Sequence, residues 1–363
     1  MNILIVAGMI DKKLMSKIEP ILLLDSVQKV FLIRDKEFNH HKIDFINSSG
    51  RLKSISLFRQ LYRLFAIIKT LIFCKVDVVI GIGMLPHGIY SILSSKIFFK
   101  KNILLLMGNN DLCITSRKNK FLQWFLIKIT SLSNKIGTRG EKSQEWLIKN
   151  GIKKDKLFIP HNTFDFNDYK IDKNIIKEYD LIYVGLLRNY KRVDLLIDVI
   201  NILVNKKNMK KIKLAIIGDG PLKNKLIQKI DSMNLSQNII FLGYGDIAFL
   251  NKNLNKSKLF VMTSYGEGLP MAIVEALSCG LPAVAFNDAD IPDILINDYN
   301  GYLPELGDIV SFSNYVHKIL NDDILYSRLS AAAIKTKSIK KDEYSIDSIK
   351  DVWKKELLSL YEQ

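Results

Sequence analysis

The sequence predicts an α/β protein with two doubly wound domains, each built around a parallel sheet. Short, strongly apolar runs alternate along the chain with longer segments whose apolar residues recur at helical spacing. Runs this apolar are typical of strands buried on both faces, as in parallel sheets, and their alternation with helices indicates doubly wound sheets. The chain has 363 residues, enough for two domains of about 100–200 residues each.

Nine apolar runs mark the predicted strands. In the first half they are residues 3–6, 30–33, 76–80 and 103–107. In the second half they are residues 181–184, 214–217, 239–242, 259–262 and 282–286. Helical periodicity between them is clearest at residues 193–206 and 221–232. Because this order repeats on both sides of the middle of the chain, it predicts two similar domains.

A polar stretch without strand character, residues 163–178, separates the two halves. We therefore predict one domain over residues 1–165 and a second over residues 174–340. Residues 341–363 form a separate helical segment, which we expect to cross back to the first domain. Two such domains are expected to face a central cleft at the carboxyl ends of their strands, where open α/β sheets bind ligands.

The positive charge is concentrated in one part of the chain. The whole sequence has 53 Lys and Arg against 37 Asp and Glu, a net charge of +16. Residues 51–150 hold 17 basic and 4 acidic side chains, a net charge of +13. This asymmetry indicates an anionic partner, which is a nucleic acid, a membrane surface or a phosphorylated substrate.

Composition excludes several other classes of protein. The hydrophobic content of 48% and the charged content of 25% exclude a largely disordered chain. Cys74, Cys113 and Cys279 form no CxxC pair, which favours a reducing compartment and argues against a structural zinc site. The first residues have no basic stretch before their short apolar run, so we expect a first strand there and no signal peptide.

Two basic, apolar segments, residues 57–75 and 119–135, have the character of amphipathic helices. Arg59, Arg63 and Lys69 interrupt the first of them, and each would cost about 2.5–3.5 kcal/mol at the centre of a bilayer. We therefore predict no transmembrane span. Two interpretations remain: helices that lie in the membrane interface, or helices that pack on the core and expose a basic face to water.

Residues 264–286 hold the most informative motif. A predicted strand ends there in a turn flanked by Gly266 and Gly268, and a helix follows with Pro270 in its first turn. Unpaired amides and the helix dipole make such a helix start an anion site. Glu267 and Glu275 place a carboxylate on each side of it, and carboxylates suit the paired hydroxyls of a sugar or ribose.

EGLPMAIVE (residues 267–275), followed by ALSCGLP, resembles the donor-site signature of retaining GT-B glycosyltransferases of family 4. Further blocks match that family in order: DLIYVGLLRNYKRVDLLIDVI, KLAIIGDGPLKNKL, NIIFLGYGD and NGYL. The resemblance covers residues 155–335 well and the first half only in layout. It implies the GT-B fold of two Rossmann-like domains, with the acceptor on the first and a nucleotide-sugar on the second.

The resemblance also implies roles for the residues of the motif. Glu275 is expected to bind the ribose hydroxyls of the nucleotide-sugar, and Glu267 the transferred sugar. The amides of Gly268 and Leu269, with Pro270 beside them, are expected to lie near the sugar and the diphosphate. Solvated carboxylates on a turn and on a helix surface are the alternative interpretation of the two glutamates.

Basic residues are expected to neutralise the diphosphate. Lys191 matches the lysine that does so in the family. The family usually has Arg directly after the Gly of VG, where this chain has Leu186, and Arg188 is the candidate to replace it. A basic helix start without a ligand is the alternative for both cations. The backbone at Gly243 and Tyr244 is expected to border the base.

The first half is expected to supply acceptor contacts. Gly8 ends the first strand, where glycine permits the close approach of a ligand, and His87 follows the strand 76–80. His87 is a candidate to bind the acceptor or the donor sugar, or else caps a loop. The family segment that often has histidine before its Gly has Met107 here, so Asn109 is only a candidate acceptor contact.

No metal and no cofactor is expected besides the donor substrate. Asp288-Ala289-Asp290 has the DxD form used for metal binding in the other glycosyltransferase fold, but it follows the E-x7-E motif of a layout that uses lysine and a helix dipole. The turn at residues 218–221 lacks GxGxxG and a P-loop lysine, so neither dinucleotide nor ATP use follows.

The resulting hypothesis is a retaining hexosyltransferase that moves a hexose or N-acetylhexosamine from a nucleotide-sugar, such as a UDP-sugar, to a saccharide acceptor. The basic block predicts a lipid-linked acceptor and peripheral contact with an anionic membrane, at the cytoplasmic face of a bacterial plasma membrane. The pathway would be surface polysaccharide biosynthesis, such as capsule or O-antigen. The alternatives are a nucleic-acid-binding protein, although no such module is recognisable, a GT-B sugar-nucleotide epimerase or phosphorylase, and an inactive scaffold.

Overall fold

The computed structural model describes residues 1–8, 11–37, 39–47, 56–108, 111 and 120–362, without the side chains of residues 11–13, 56 and 57. The chain forms two compact units. Met1–Phe164 and Asp342–Gln363 make up the first unit, and Asp165–Lys341 the second. Each unit holds one parallel sheet with helices on both faces. The predicted fold class, two doubly wound α/β domains, is therefore confirmed.

The first unit is built on a seven-stranded sheet. Its strands are β1 (Asn2–Val6), β2 (Lys29–Arg34), β3 (Ile43–Asn47), β4 (Val78–Ile82), β5 (Lys101–Leu105), β6 (Lys135–Gly137) and β7 (Leu157–Phe158). Its helices are α1 (Asp11–Leu22), α2 (Ser56–Phe73), α3 (Ile89–Ile97), α4 (Lys120–Ser131), α5 (Glu141–Lys149) and α12 (Ile346–Ser359). The strand order is β3-β2-β1-β4-β5-β6-β7, with every pair parallel.

The helices of this unit form two layers because successive strand residues point to opposite faces of the sheet. Ile3 and Ile5 of β1 pack with α1 and α12 on one face. Leu4 and its register partner Val79 pack with α2 on the other face. Leu104 of β5 packs with α3, α4 and α5 on that same second face. Helices α2, α3 and α4 are therefore neighbours in one layer.

Helix α12 belongs to the first unit although more than 170 residues of the second unit precede it in the chain. Its Trp353 is 1% exposed and packs edge-on against Phe158 of β7 at 5.5 Å between ring centroids. Glu356 forms an ion pair of 2.7 Å with Lys135 of β6, and both side chains are nearly buried. Helix α12 thus completes one face of the first core.

The second unit is built on a six-stranded sheet. Its strands are β8 (Tyr179–Val184), β9 (Leu214–Ile217), β10 (Ile239–Gly243), β11 (Ser257–Met262), β12 (Ala283–Ala285) and β13 (Gly301–Tyr302). Its helices are α6 (Val193–Asn205), α7 (Lys223–Ser232), α8 (Ile247–Asn255), α9 (Met271–Ser278), α10 (Ile309–Leu320) and α11 (Asp323–Lys340). The strand order is β10-β9-β8-β11-β12-β13, again all parallel.

All nine predicted runs form strands, although several ends are shifted. The run at residues 76–80 becomes β4 only from Val78, because the carboxylate of Asp77 accepts a hydrogen bond of 2.7 Å from the amide of Asn2. Four further strands, β3, β6, β7 and β13, lack a continuous apolar run. No helix within the described residues is both long and apolar enough to cross a membrane.

Candidate donor site at the carboxyl ends of the second sheet

Three loops that follow β8, β9 and β10 lie against one another. The amide of Gly185 donates to the carbonyl of Ile217 at 2.9 Å, and the amide of Gly218 to that of Gly243 at 2.8 Å. A Cβ atom on Gly218 would lie 1.9 Å from the carbonyl oxygen of Gly185, and Gly218 has φ +150°. One on Gly220 would lie 2.6 Å from the carbonyl oxygen of Leu187. Only glycine fits at these approaches, which makes the loops one backbone surface.

The short 3-10 turn Asn189–Lys191 precedes α6. It is hydrogen-bonded, together with Arg192, to the loop that follows β11. The amide of Tyr265 donates to the carbonyl of Tyr190 at 2.7 Å, and the hydroxyl of Thr263 donates to the carbonyl of Arg192 at 2.8 Å. Arg192 has the left-handed φ of +46° and lies 4.9 Å above the ring of Tyr265. The turn therefore holds the preceding side chain, that of Lys191, in a fixed place.

Lys191 and Glu267 form an ion pair. Only 12% of the lysine side chain and 14% of the glutamate side chain are exposed. Burial and the negative charge of Glu267 raise the pKa of the neighbouring Tyr183 well above its usual value, so Tyr183 is a neutral hydroxyl here. An ion pair this poorly solvated fixes the position of both charges, since separating them would leave each charge uncompensated.

The turn between β11 and α9 presents backbone amides. Asp288 accepts a hydrogen bond from the amide of Gly266, which has φ +67°. Helix α9 begins at Met271, and Pro270, predicted to lie in its first turn, has an extended ψ of 110° and is its N-cap. No described residue accepts a hydrogen bond from the amides of Gly268 or Leu269. These two amides and the start of α9 form an electropositive backbone surface beside Glu267.

Glu275 lies about one turn beyond the start of α9 and is held by Tyr169. The Tyr169 hydroxyl donates to Oε1 of Glu275 at 3.0 Å. Tyr169 is 4% exposed, and Lys337 Nζ donates to its carbonyl oxygen at 2.6 Å. Burial, followed by the charge of Glu275, raises the pKa of Tyr169, so this hydroxyl is a permanent donor. Sequence reasoning missed Tyr169, because it lies in the stretch interpreted as a linker.

Other predicted residues of the second unit lie around these groups. Arg188 is exposed, and its side chain forms no ion pair with any residue that the structure describes. Leu186 is 38% exposed and Tyr244 is 81% exposed. Gly243 has φ +79°, which glycine adopts without strain. The structure therefore brings Lys191 together with Glu267, and among the described residues Arg188 forms no ion pair with Glu267.

The DxD sequence has a structural role. Asp288 holds the Gly266 amide, as described above, and Asp290 is fully buried. Among the described residues, no cluster of three or more His, Cys, Asp or Glu side chains is arranged to hold a metal ion.

Two predicted residues of the first unit are in contact. A Cβ atom on Gly8 would lie 2.6 Å from Cε1 of His87, so the imidazole packs on the end of β1. Nε2 of His87 is buried and has no hydrogen-bond partner among the described residues. Burial, and to a smaller extent the charge of Arg63, lower the pKa of His87 to about 4, so the imidazole is neutral at pH 7. Asn109 lies outside the described residues.

One comparison with known proteins matches the same unit. The family model of Glycosyl transferases group 1 matches residues 165–336, which is nearly the whole second unit. A poly(ribitol-phosphate) alpha-N-acetylglucosaminyltransferase of Staphylococcus aureus is 29% identical over 232 residues, 59% of this chain and 46% of that protein. A UDP-Gal:alpha-D-GlcNAc-diphosphoundecaprenol alpha-1,3-galactosyltransferase of Escherichia coli is 38% identical over 113 residues, 31% of this chain and 28% of that protein.

The fold is shared over the whole chain with solved structures. Anabaena Alr3699/HepE in complex with UDP has a TM-score of 0.76 and 17% identity, with 99% of this chain and 100% of that chain covered. The GT-B fold class that the sequence motifs imply is therefore confirmed for the two parallel-sheet domains. The matches to the curated relatives span less than half of those proteins. The glycine-bounded loops and the Lys191–Glu267 pair all lie within residues 165–336, the stretch that matches the family model of Glycosyl transferases group 1.

Proposed function

We propose that this protein is a retaining hexosyltransferase that moves a hexose or N-acetylhexosamine from a nucleotide-sugar to a saccharide acceptor. The observation that carries the proposal is the pairing of Lys191 with Glu267 beside the unbonded amides that precede α9. A cation and two amides there can bind an anion, while the adjacent carboxylate can accept sugar hydroxyls. The family match to the same unit supports this assignment.

The chemistry proposed for this site is electrostatic. The leaving diphosphate gains negative charge as the glycosidic bond breaks, and groups fixed in place stabilise that charge without having to reorganise. A lysine ammonium has three donors, so Lys191 can keep Glu267 as one partner while it donates to a diphosphate oxygen. Arg188 is proposed as a second cation that approaches from its exposed position.

Glu275 is proposed to bind the ribose. Tyr169 donates to its Oε1, and an ionised carboxylate has about four lone-pair sites on its two oxygens, so it can also accept from ribose hydroxyls. The loop at Gly243 and Tyr244 is proposed to border the base, because the backbone contacts of Gly218 with Gly185 and Gly243 hold this loop beside the other two. The donor class is a UDP-sugar, which is supported by the name of the Escherichia coli relative and by the UDP in the Anabaena structure.

Retention is part of the proposal through the sequence resemblance. The acceptor hydroxyl would attack the anomeric carbon on the face that the diphosphate leaves, and a diphosphate oxygen would take the acceptor proton. The bond to the acceptor oxygen forms as the bond to the leaving oxygen breaks, so no enzyme nucleophile is required. His87 and Gly8 of the first unit are proposed to bind the acceptor or the transferred sugar.

The acceptor is proposed to be a lipid-linked saccharide used in bacterial surface polysaccharide synthesis, with the protein held peripherally at the cytoplasmic face of the plasma membrane. The diphosphoundecaprenol acceptor in the name of one relative supports this choice. The charge of +13 over residues 51–150 supports an anionic surface as the place of reaction.

A donor screen tests the proposal directly. Thermal shifts are measured for the wild-type protein with UDP-, GDP- and ADP-sugars, and then for Lys191→Ala and Glu275→Ala with the best of them. One nucleotide-sugar class should stabilise the wild type, and each variant should lose most of that shift. Absence of any shift with all donors would contradict the proposal. Conversion of a nucleotide-sugar without acceptor would show an epimerase instead.

A further inference from the structure

The layer formed by α2, α3 and α4 has an apolar side that faces away from the sheet. Residues of α2 that pack on the core include Arg63, Ala66 and Leu71. Among the side chains of α2 that the structure describes, residues 58–73, seven are exposed, namely six apolar or aromatic ones and one lysine: Phe58, Leu61, Tyr62, Phe65, Lys69, Ile72 and Phe73. These positions follow the helical repeat, so they form one continuous stripe on the solvent side.

The neighbouring helices continue this stripe. Helix α3 exposes Leu93, Lys96 and Ile97, and helix α4 exposes Phe121, Trp124, Phe125 and Lys128. Helices α2, α3 and α4 lie in one layer, as shown above, so their exposed side chains lie on one surface. We call this surface the outer face. It is far more apolar than the solvated side of ordinary amphipathic helices, and large exposed apolar patches mark sites of interaction.

Phe99, just after α3, adds a backbone observation. It is 96% exposed and has the left-handed φ of +53°. The position after a helix is commonly left-handed, but glycine or asparagine usually occupies it because a bulky side chain is strained there. A phenylalanine therefore projects fully into solvent from a conformation that opposes it. If this surface faced only water, both the exposed ring and the left-handed backbone of Phe99 would be unfavourable.

The charges of the same helices identify the partner. The sequences of α2, α3 and α4 contain no acidic residue and six basic ones. Arg63 is buried in an ion pair with Asp35, and the other five are Arg59, Lys69, Lys96, Lys120 and Lys128. Lys69 and Lys128 lie within the exposed apolar stripes. Aromatic and aliphatic side chains flanked by lysines suit the boundary between lipid headgroups and acyl chains, where the ammonium groups reach anionic headgroups.

Two other partners fit this surface less well. A second copy of the chain would bring together, in a symmetric dimer, two apolar faces whose charges are all positive, which electrostatic repulsion opposes. A nucleic acid requires closely spaced cations along its phosphates, whereas the cations here are separated by leucine, isoleucine and phenylalanine. We propose that the outer face is a docking surface for a bilayer that contains anionic lipids. The inference rests on the proposed function in one respect, which is that the acceptor is a lipid-linked saccharide. Docking to the bilayer itself does not require an acceptor.

Trp124 provides a direct readout of docking. It lies on the outer face, whereas Trp353 is buried and Trp146 is half-buried on α5. Vesicles of phosphatidylcholine with phosphatidylglycerol should sediment the wild-type protein and shift its tryptophan emission to the blue. Vesicles of phosphatidylcholine alone, or high salt, should reduce both signals. The Trp124→Phe variant should still bind but lose the emission shift.

A double variant, Phe65→Ser with Phe125→Ser, tests the apolar contribution. Both side chains are exposed, so folding should be unaffected, which the melting temperature checks. Removing each phenylalanine should weaken vesicle partitioning by about tenfold. The matched control is Ile176→Ser with Ile324→Ser, which removes two apolar side chains, 81% and 86% exposed, from the second unit. The control should bind vesicles like the wild type.

Several outcomes would overturn the docking surface. They are a wild type that does not sediment with anionic vesicles at low salt, a double variant that binds as well as the wild type, or a concentration-dependent dimer that the double variant abolishes. Retention on DNA in the absence of lipid binding would identify a nucleic acid instead. Thermal shifts with the nucleotide-sugar on the same samples separate the two proposals, since donor binding without vesicle binding overturns only the docking surface.

Discussion

The hydroxyl of Tyr169 donates a hydrogen bond of 3.0 Å to Oε1 of Glu275, across 106 positions of sequence. Tyr169 is itself anchored, because Lys337 Nζ donates to its carbonyl oxygen. A carboxylate on a helix has several rotamers, and a buried hydroxyl donor selects one of them. Tyr169 is therefore a positioning residue for the proposed ribose contact.

Replacement of Tyr169 by Phe tests that role. The variant keeps the ring and loses one hydrogen bond to a charged group, which is worth about 1.5–3 kcal/mol. We expect KM for the nucleotide-sugar to rise about tenfold or more with little change in kcat, because the ribose is remote from the reacting bond. Tyr326→Phe, at another largely buried tyrosine of the second unit, is the control. Equal kinetics for Tyr169→Phe and this control would contradict the role.

Removal of Lys191 should affect the chemical step. Lys191→Ala removes a charge that we assign to the leaving diphosphate, and the loss of transition-state stabilisation should be about 2–4 kcal/mol. Steady-state kinetics should therefore show a fall in kcat/KM of about 30- to 1000-fold. Lys258→Ala is the control, since Lys258 pairs with Asp180 at 2.9 Å near the amino ends of β11 and β8. Near-wild-type transfer by Lys191→Ala would remove the lysine from the mechanism.

Gly218 should tolerate no side chain. Its Cβ would lie 1.9 Å from a carbonyl oxygen in the neighbouring loop, so Gly218→Ala must push two loops of the donor site apart. We expect a lower melting temperature and a lost thermal shift with the nucleotide-sugar. Gly151→Ala is the matched control, because Gly151 also has a positive φ of +88° but would place its Cβ in open space. If both variants bind the donor equally, the loops are not part of the site.

His87 should make the stability of the first unit depend on pH. Its folded pKa of about 4 lies below the usual value of 6.5, so between these values the unfolded chain binds a proton that the folded chain does not. Stability from this group is present above pH 6.5 and decreases as the pH falls toward 4. The loss should reach about 2–3 kcal/mol near pH 4.5.

Chemical unfolding followed by the fluorescence of Trp353, which is buried in the same unit, measures this effect. The His87→Gln variant has no imidazole to protonate, so its stability should fall less than that of the wild type between pH 7 and pH 4.5. The difference in free energy of unfolding between the two proteins should therefore change over that window. Parallel pH profiles would show that His87 is not buried in the folded state.

The fold was predictable where the sequence is uniformly apolar. The β8 and β9 runs are buried on both faces, so nearly all of their residues are apolar. Such strands can be recognised without knowing which residues face which side of the sheet. Strand β3 alternates Ile43-Asp44-Phe45 at the edge of its sheet, and β13 has only two residues. These two segments become strands because neighbouring strands pair with them. The local sequence pattern does not show which strands will lie beside them.

The candidate site was predictable in part for a similar reason. Lys191, Glu267 and Glu275 lie in motifs with fixed spacing, and the structure brings the first two into contact. The partner of Glu275 lies in a polar stretch that we interpreted as a linker. The hydrogen bond from Tyr169 depends on tertiary packing, and neither composition nor periodicity identifies it. The exposure of the apolar stripes on α2 and α4 could not be predicted either. Helical periodicity shows which residues share a side of a helix, but not which side faces the sheet.

Helix α12 has a consequence for biosynthesis. The hydrophobic layer that holds Trp353 against Phe158 joins a strand made before the second unit to a helix made after it. A ribosome therefore releases the contiguous second unit before the first unit has its last helix, and until then α1 covers only part of that face of the first sheet. A chain that ends at Lys341 should contain a second unit that still folds. Its first unit should remain bound to chaperones.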